Sequence, residues 1–433
     1  MHGSATTLEL ESHVRRDARP AGALDVDRAD LALALFWSAA AILISAVAFQ
    51  ALGSSFDTMA GMNVWFQGDT PRVMENMTDP ASNHYRTAVH PISSILTTPL
   101  VLAIAKLGLS AATAAKTLIA LAGAANAALM FFTLRHLRLP RLAACVFVAL
   151  FLSSAAYLHW HACVELGPFG SLTITAALYA LVRGRALGVF WWVLISAASL
   201  GVTVTNWSAG LAATILRWPL ARTILISTFA LVTVVVLATV QGETFRNTGF
   251  FLNYKFAEKE IQWTQIAMER EGKASWSPAQ NLYAMYVTTI VAPRPQLKTV
   301  GDMTLVTNQT PALGELSPIG KAAIAAWLAL LGCGIYAAFR ERSVRTVAIG
   351  VGLMLLAQTA LHSIYGDVTF LYAPHFLPML VVLAALSWFT PARRLALGLA
   401  LVVVVLGAVN NAWQFSTAAD LMESVVASGA KAP

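Results

Sequence analysis

Long apolar runs separated by short polar breaks dominate the chain. We interpret these runs as membrane-spanning helices, because the bilayer interior admits only helices and closed barrels and no period-two alternation indicates a barrel. The pattern predicts about eleven spans, at 31–52, 111–134, 142–161, 169–183, 187–204, 206–217, 223–240, 319–339, 346–363, 368–388 and 395–412. The run at 206–217 is short for a complete crossing.

A further apolar run at 92–107 decides the topology, since counting it as a span would invert every later element. The polar breaks are rich in arginine: Arg15, Arg16, Arg19, Arg28, Arg135, Arg138, Arg141, Arg183, Arg185, Arg217, Arg222, Arg340, Arg342, Arg345, Arg393 and Arg394. If 92–107 lies in the membrane interface, all of them fall on one side, as the positive-inside rule requires. We therefore expect a cytoplasmic N-terminus and an external, periplasmic C-terminus.

This topology divides the chain into five parts. They are a cytoplasmic polar tail (1–30), an N-terminal transmembrane module (31–240) with its first external loop at 53–90, a large external loop (241–318), C-terminal transmembrane helices (319–413) and an external tail (414–433). Among 433 residues, 57% are hydrophobic and 12% are charged, and the mean hydropathy is +0.65. These values exclude a soluble or disordered chain. The net charge of +7 is explained by topology signals, so no nucleic-acid partner is expected.

Chemically versatile residues gather on the external side. The densest patch is 65–72, Trp-Phe-Gln-Gly-Asp-Thr-Pro-Arg, which is followed by His84, Arg86 and His90. A carboxylate beside cations is typical of a base that acts next to a bound anion. The bundle centres are nearly free of ionisable residues, which disfavours a transporter. His159 and His161 flank Trp160, and we interpret that cluster as an interfacial aromatic belt.

These motifs resemble the polytopic glycosyltransferases of the C superfamily (GT-C fold), in particular protein O-mannosyltransferases and lipid A aminoarabinose transferases. The matching segments are Gly68-Asp69-Thr70, His90-Pro91, the 92–107 run, Glu165-Leu166-Gly167-Pro168, Thr205-Asn206-Trp207 and Tyr372-Ala373-Pro374-His375-Phe376-Leu377-Pro378. Many relatives carry a second acidic residue beside the first-loop carboxylate, where this chain has Thr70. The resemblance implies an all-α polytopic fold with interfacial helices in the first external loop.

The resemblance also implies a reaction, in which a sugar moves from a polyprenyl phosphate to a lipid, glycan or protein acceptor at the outer face. Asp69 would act as base in an inverting displacement. Positive or polar groups that could hold the donor phosphate are Arg72, His84, Arg86, His90, Arg294, Lys298 and His375. Substrate contacts would come from Glu165, Tyr365, Asp367 and Tyr372. No metal ion or other cofactor is required by this chemistry, and the expected location is a bacterial inner membrane, where membrane lipids surround the helices.

Two other functions stay open on the sequence alone. A transporter or flippase for lipid-linked saccharides would need a polar path through the bundle. A polymerase or ligase of the O-antigen type would use external arginines and need no first-loop carboxylate. Replacement of Asp69 separates both from the transferase.

Overall fold

The computed structural model describes residues 26–53, 63–270, 277–300, 303–309, 316–366 and 368–427. Its α-helices are α1 Arg28–Leu52, α2 Thr70–Thr78, α3 Ser93–Ala105, α4 Ala111–His136, α5 Arg141–Ser153, α6 Ala155–Trp160, α7 Gly167–Arg183, α8 Val189–Val202, α9 Trp207–Arg217, α10 Leu220–Thr244, α11 Tyr254–Glu260, α12 Gln265–Arg270, α13 Pro278–Tyr283, α14 Pro318–Arg340, α15 Arg345–His362, α16 Ala373–Ala385 and α17 Arg393–Ala427. The two strands are β1 Gln296–Val300 and β2 Met303–Thr307.

Every predicted span contains a helix, and the all-α polytopic architecture is confirmed. Seven helical segments of the described chain are long and apolar enough to cross a membrane: Arg28–Leu52, Ala111–His136, Leu220–Thr244, Pro318–Arg340, Arg342–His362, Thr369–Phe389 and Arg393–Ala427. The helices α8 and α9 have 14 and 11 residues, fewer than the roughly 20 residues of a complete crossing. Eleven crossings therefore remain a prediction.

Local signals explain where these helices begin. The Asp27 carboxylate accepts hydrogen bonds from the backbone N–H groups of Ala29 and Asp30 at the start of α1, and Ser110 caps α4 in the same way. Ser154 accepts from the Tyr157 N–H group and starts α6, which divides the predicted span at 142–161 into two helices.

The core lies around α16, whereas α1 and α10 form part of the rim. The most apolar 18-residue stretches of the helical segments differ in burial. In the segment that contains α16, 83% of these residues are buried, against 22% in α1 and 28% in α10. The rim helices expose leucine, valine, isoleucine and phenylalanine side chains, for instance Leu35, Leu43 and Phe229. Such a surface is stable only in contact with lipid, so the chain is a multi-pass membrane protein.

The predicted interfacial run at 92–107 forms α3, which has 13 residues and a length of about 20 Å. That length is less than the roughly 30 Å hydrocarbon core, and Pro99 interrupts its hydrogen-bond pattern. The structure thus supports a helix that does not cross, while its placement in the interface remains a prediction.

The described residues also contain one two-stranded sheet. β1 and β2 pair antiparallel, with Gln296 opposite Thr307, and the Val306 N–H group donates to the Val64 carbonyl at 2.8 Å. The hairpin therefore joins the second external loop to the first. Sequence reasoning did not predict it.

The last helix, α17, has 35 residues and extends beyond the predicted span into the predicted external tail. Its Asn411 side chain accepts from the Ala292 N–H group at 2.8 Å and donates to the Ile290 carbonyl at 2.8 Å. Neighbouring Asn410 donates to the Ala292 carbonyl at 2.7 Å. These bonds satisfy buried backbone groups and fix the second external loop over the bundle.

Candidate active site

A cavity of about 280 Å³ lies where the first external loop, the turn before α7, the helix α11 and the start of α16 meet. Its ionisable and aromatic polar lining consists of Asp69, Arg86, His90, Glu165, Glu260, His362, Tyr365, Tyr372 and His375. Seven of these nine are residues that the sequence analysis proposed. Arg72 lines a smaller adjoining cavity together with Arg86, His90 and Glu165.

A tight turn presents Asp69 at the start of α2. Phe66 and Gln67 adopt positive φ angles of 49° and 62°, which non-glycine residues rarely do. The Phe66 ring is fully buried, which fixes this conformation. The Asp69 carboxylate forms an ion pair with Arg72 and accepts a hydrogen bond from Asn63 at 3.3 Å.

Glu165 lies beside Asp69, although the two are far apart in sequence. The backbone N–H groups of Asp69 and Leu166 lie near its carboxylate, and the side chain is buried. Burial and then the negative charge of Asp69 raise the pKa of Glu165 to about 7. Oε2 of Glu165 has no hydrogen-bond partner among the described residues. Glu165 thus supplies a second acid close to Asp69.

Arg86 is the cation that faces the cavity. Its guanidinium lies 2.6 Å from the Glu260 carboxylate on α11, and the Tyr365 hydroxyl donates to the same carboxylate. Burial opposes the charged form, yet the negative charges of Glu260 and Asp69 raise the pKa of Arg86 above its ordinary value. Burial and Glu260 also raise the pKa of Tyr365.

His90 lies in the cavity wall as an uncharged group. Burial and the positive charge of Arg86 lower the pKa of His90 to about 3. Nδ1 lies 2.9 Å from the Val202 carbonyl, to which it donates. A neutral imidazole can form hydrogen bonds with a phosphate but brings no positive charge, so His90 does not act as a cation here.

Three of the proposed phosphate ligands lie away from the cavity. His84 is fully buried, and its ring nitrogens lie 2.7 Å from Ser94 and 3.1 Å from Ser82. Arg294 and Lys298 belong to the hairpin segment and do not line the cavity. Asp367 lies outside the described residues.

The interfacial interpretation of the histidines around Trp160 is wrong. His159 and His161 are each 1% exposed. The His159 ring stacks on Trp65 with ring centroids 5.9 Å apart, and His161 stacks on Tyr157 at 3.9 Å. The His159 ring also contacts Phe66, with ring centroids 5.4 Å apart, and so supports the turn that carries Asp69. Gly68 leaves space for the Trp160 ring in the same turn.

An apolar groove of about 630 Å³ lies between α3, α4, α7 and α8. Leucine, phenylalanine and tryptophan side chains line it, and Val202 belongs to its wall. The Val202 carbonyl accepts the hydrogen bond from His90, so the groove lies next to the charged cavity.

The fold and the cavity together define the class of protein: a polytopic membrane protein with a charged cavity beside an apolar groove. A solved structure similar to this chain is that of ArnT from Cupriavidus metallidurans bound to undecaprenyl phosphate. The TM-score is 0.52 at 14% sequence identity, over 87% of this chain and 76% of that chain. No family model and no curated protein sequence matches the chain. The likeness confirms the GT-C-like fold predicted from the sequence.

Proposed function

We propose that this protein is a membrane glycosyltransferase that moves a sugar from a polyprenyl-phosphate donor to an acceptor at the outer, periplasmic face. The observation that carries the proposal is one cavity in which Asp69 and Glu165 lie near Arg86, beside an apolar groove. A lipid-linked sugar needs these three features: a base, a cation for the phosphate and a path for the chain. The undecaprenyl phosphate bound to ArnT supports a polyprenyl carrier.

The reaction is an inverting displacement. The acceptor hydroxyl oxygen (or amine nitrogen) attacks the anomeric carbon, the bond from that carbon to the phosphate oxygen breaks, and the electron pair leaves with the phosphate. Asp69 takes the acceptor proton as the new bond forms. Asn63 and Arg72 hold its carboxylate in place.

Glu165 can hold a proton beside the proposed base. Burial and the negative charge of Asp69 raise the pKa of Glu165 to about 7. A group whose pKa lies near the operating pH can both take up and release a proton.

Arg86 is the proposed phosphate ligand, and Glu260 occupies it in the present structure. A guanidinium binds a carboxylate and a phosphate with the same planar geometry. The Glu260 carboxylate lies 2.6 Å from the Arg86 guanidinium. We infer that the donor phosphate displaces this carboxylate and forms the ion pair with Arg86 in its place. Since Arg86 supplies the positive charge, the reaction requires no metal ion, and EDTA is expected to leave transfer unchanged.

The apolar groove is the proposed site of the polyprenyl chain, because its hydrocarbon walls continue from the cavity into the bundle. The orientation follows from charge. Arg135 and Arg141 form ion pairs with Asp30, at the end of the bundle where the arginine-rich turns lie. Under the positive-inside rule, this end lies on the cytoplasmic side of a bacterial inner membrane. The cavity then faces the periplasm.

The test uses purified protein in lipid nanodiscs with a panel of radiolabelled polyprenyl-phosphate sugars and a membrane extract as acceptor. Wild type is expected to transfer label, and Asp69→Asn to lose about 100-fold or more of the rate. Asp79→Asn, an exposed carboxylate outside the cavity, serves as the control and should keep full activity. Equal transfer by wild type and Asp69→Asn would remove Asp69 from the mechanism. Movement of intact donor across the bilayer without transfer would favour a flippase.

A further inference from the structure

Two buried histidines in the cavity wall, His362 and His375, each have a ring nitrogen without a hydrogen-bond partner in the described part of the chain. His362 and His375 are 2% and 7% exposed, their ring centroids lie 6.4 Å apart, and both line the cavity. Within the described part of the chain, Nδ1 of each ring has no hydrogen-bond partner. Buried polar atoms are rarely left unpaired unless a ligand or water completes them, so this part of the wall is prepared for a ligand.

A chain of buried amides determines which atom of His362 carries the proton. Asn206 Nδ2 donates to the Gly170 carbonyl at 3.3 Å, so its Oδ1 is free to accept. Gln358 Nε2 donates to that Oδ1 at 3.2 Å and lies 3.5 Å from the Thr205 carbonyl. Because backbone carbonyls only accept, both amides have a fixed orientation.

Gln358 therefore presents its Oε1 to His362. That oxygen lies 3.2 Å from His362 Nε2 and can only accept, so Nε2 carries the hydrogen atom. In a neutral imidazole the other nitrogen then bears a lone pair and no hydrogen. His362 Nδ1 is consequently an acceptor in the cavity wall. The Tyr365 carbonyl lies near the ring but does not form a hydrogen bond with Nδ1.

The chemistry of Nδ1 limits what it can bind. Phosphate diesters and carboxylates have no hydrogen atom to donate, whereas a sugar hydroxyl does. Tyr372 stacks on the His362 ring with centroids 3.8 Å apart, which holds the ring in one plane. His375 forms no hydrogen bond in the described chain, so its ring can offer either a donor or an acceptor.

We propose that His362 and His375 form the subsite that recognises a hydroxyl group of the transferred sugar, with His362 Nδ1 as the acceptor. Asn206 and Gln358 are positioning residues that set the protonation of His362. The inference rests on the proposed function, since the sugar enters the same cavity as Asp69. It assigns sugar selection to residues that do not take part in the proton transfer.

The first experiment measures the protonation of His362 directly, without turnover. Nitrogen-15 NMR of histidine-labelled protein in nanodiscs, with His362→Asn used to assign its signals, should show a protonated Nε2 and a bare Nδ1. Gln358→Leu removes the acceptor and should alter this pattern. A protonated Nδ1 in wild type would overturn the assignment of His362 as acceptor.

The second experiment tests whether His362 binds one particular hydroxyl group of the donor sugar. Decaprenyl-phosphate hexose donors, each with one hydroxyl group replaced by hydrogen, are compared in wild type and His362→Phe. One deoxy donor should lose about tenfold in kcat/KM with wild type, and that loss should vanish in His362→Phe. His362→Asn, which keeps an acceptor at the position of Nδ1, should restore part of it.

The control is His136→Phe. His136 is the last residue of α4 and lies beside Arg183, the last residue of α7, whereas Glu165 precedes the start of α7. This variant should keep the wild-type preference among the deoxy donors. If every deoxy donor loses the same factor in wild type and in His362→Phe, the subsite is refuted while the transferase stands. If wild type transfers none of the donors, the proposed function itself fails.

Discussion

Glu165→Gln tests the electrostatics of the carboxylate pair through protein stability. The pKa of Glu165 is about 7 in the folded protein against an ordinary value of 4.5. Folding therefore favours the protonated acid, and its contribution to stability is lost as pH rises from about 4.5 through 7. That difference in pKa corresponds to about 3 kcal/mol. Glutamine resembles the protonated acid, so the variant should avoid this loss.

The assay is thermal unfolding of wild type and Glu165→Gln in the same nanodiscs between pH 5 and pH 8.5. The Tm values should nearly coincide at pH 5, and the variant should unfold at a higher temperature at pH 8.5. Glu75→Gln is the matched control, because Glu75 is exposed on α2 and should give no pH-dependent difference. A constant gap between wild type and Glu165→Gln at all pH values would refute the reasoning.

Four further variants test other contacts. Arg86→Gln should raise the KM for the donor about tenfold or more, since a charged hydrogen bond is lost, whereas Glu260→Gln should bind polyprenyl phosphate more tightly in a direct binding assay; a weaker Glu260→Gln complex would contradict the displacement. In Gly170→Ala, the new Cβ would overlap the His375 ring, so transfer should fall sharply while expression is retained; normal transfer would show that this contact is unimportant. Asp30→Asn removes the carboxylate that pairs with both Arg135 and Arg141, although Arg141 keeps its ion pair with Asp27. The variant should lose about 1–3 kcal/mol in stability, measured by unfolding; an unchanged Tm would contradict it.

The sequence predicted the helical membrane architecture because lipid imposes a simple rule on the backbone. Apolar length predicted the helices, and short motifs predicted that Asp69, Glu165 and Tyr372 would share a site. The structure brings these three into one cavity. It also places a second acid, Glu165, beside Asp69.

The missed residues act through contacts that local patterns do not encode. Glu260 lies in a charged stretch of the second loop, and only the fold brings it to Arg86. His362 is the last residue of an apolar helix, and its role depends on Gln358 and Asn206 from two helical regions. His84 was proposed as a ligand from proximity in sequence, but its side chain faces Ser94 on α3.

Stereochemistry and stoichiometry of transfer test the central claim most directly. A single labelled polyprenyl-phosphate sugar of defined anomeric configuration is incubated with wild-type protein and acceptor, and the products are quantified by mass spectrometry and NMR. The account predicts one free polyprenyl phosphate for each glycosylated acceptor, with inverted configuration at the anomeric carbon. The rate in Asp69→Asn should be lower by about 100-fold or more. Retained configuration, or release of the lipid phosphate without a glycosylated acceptor, would contradict it.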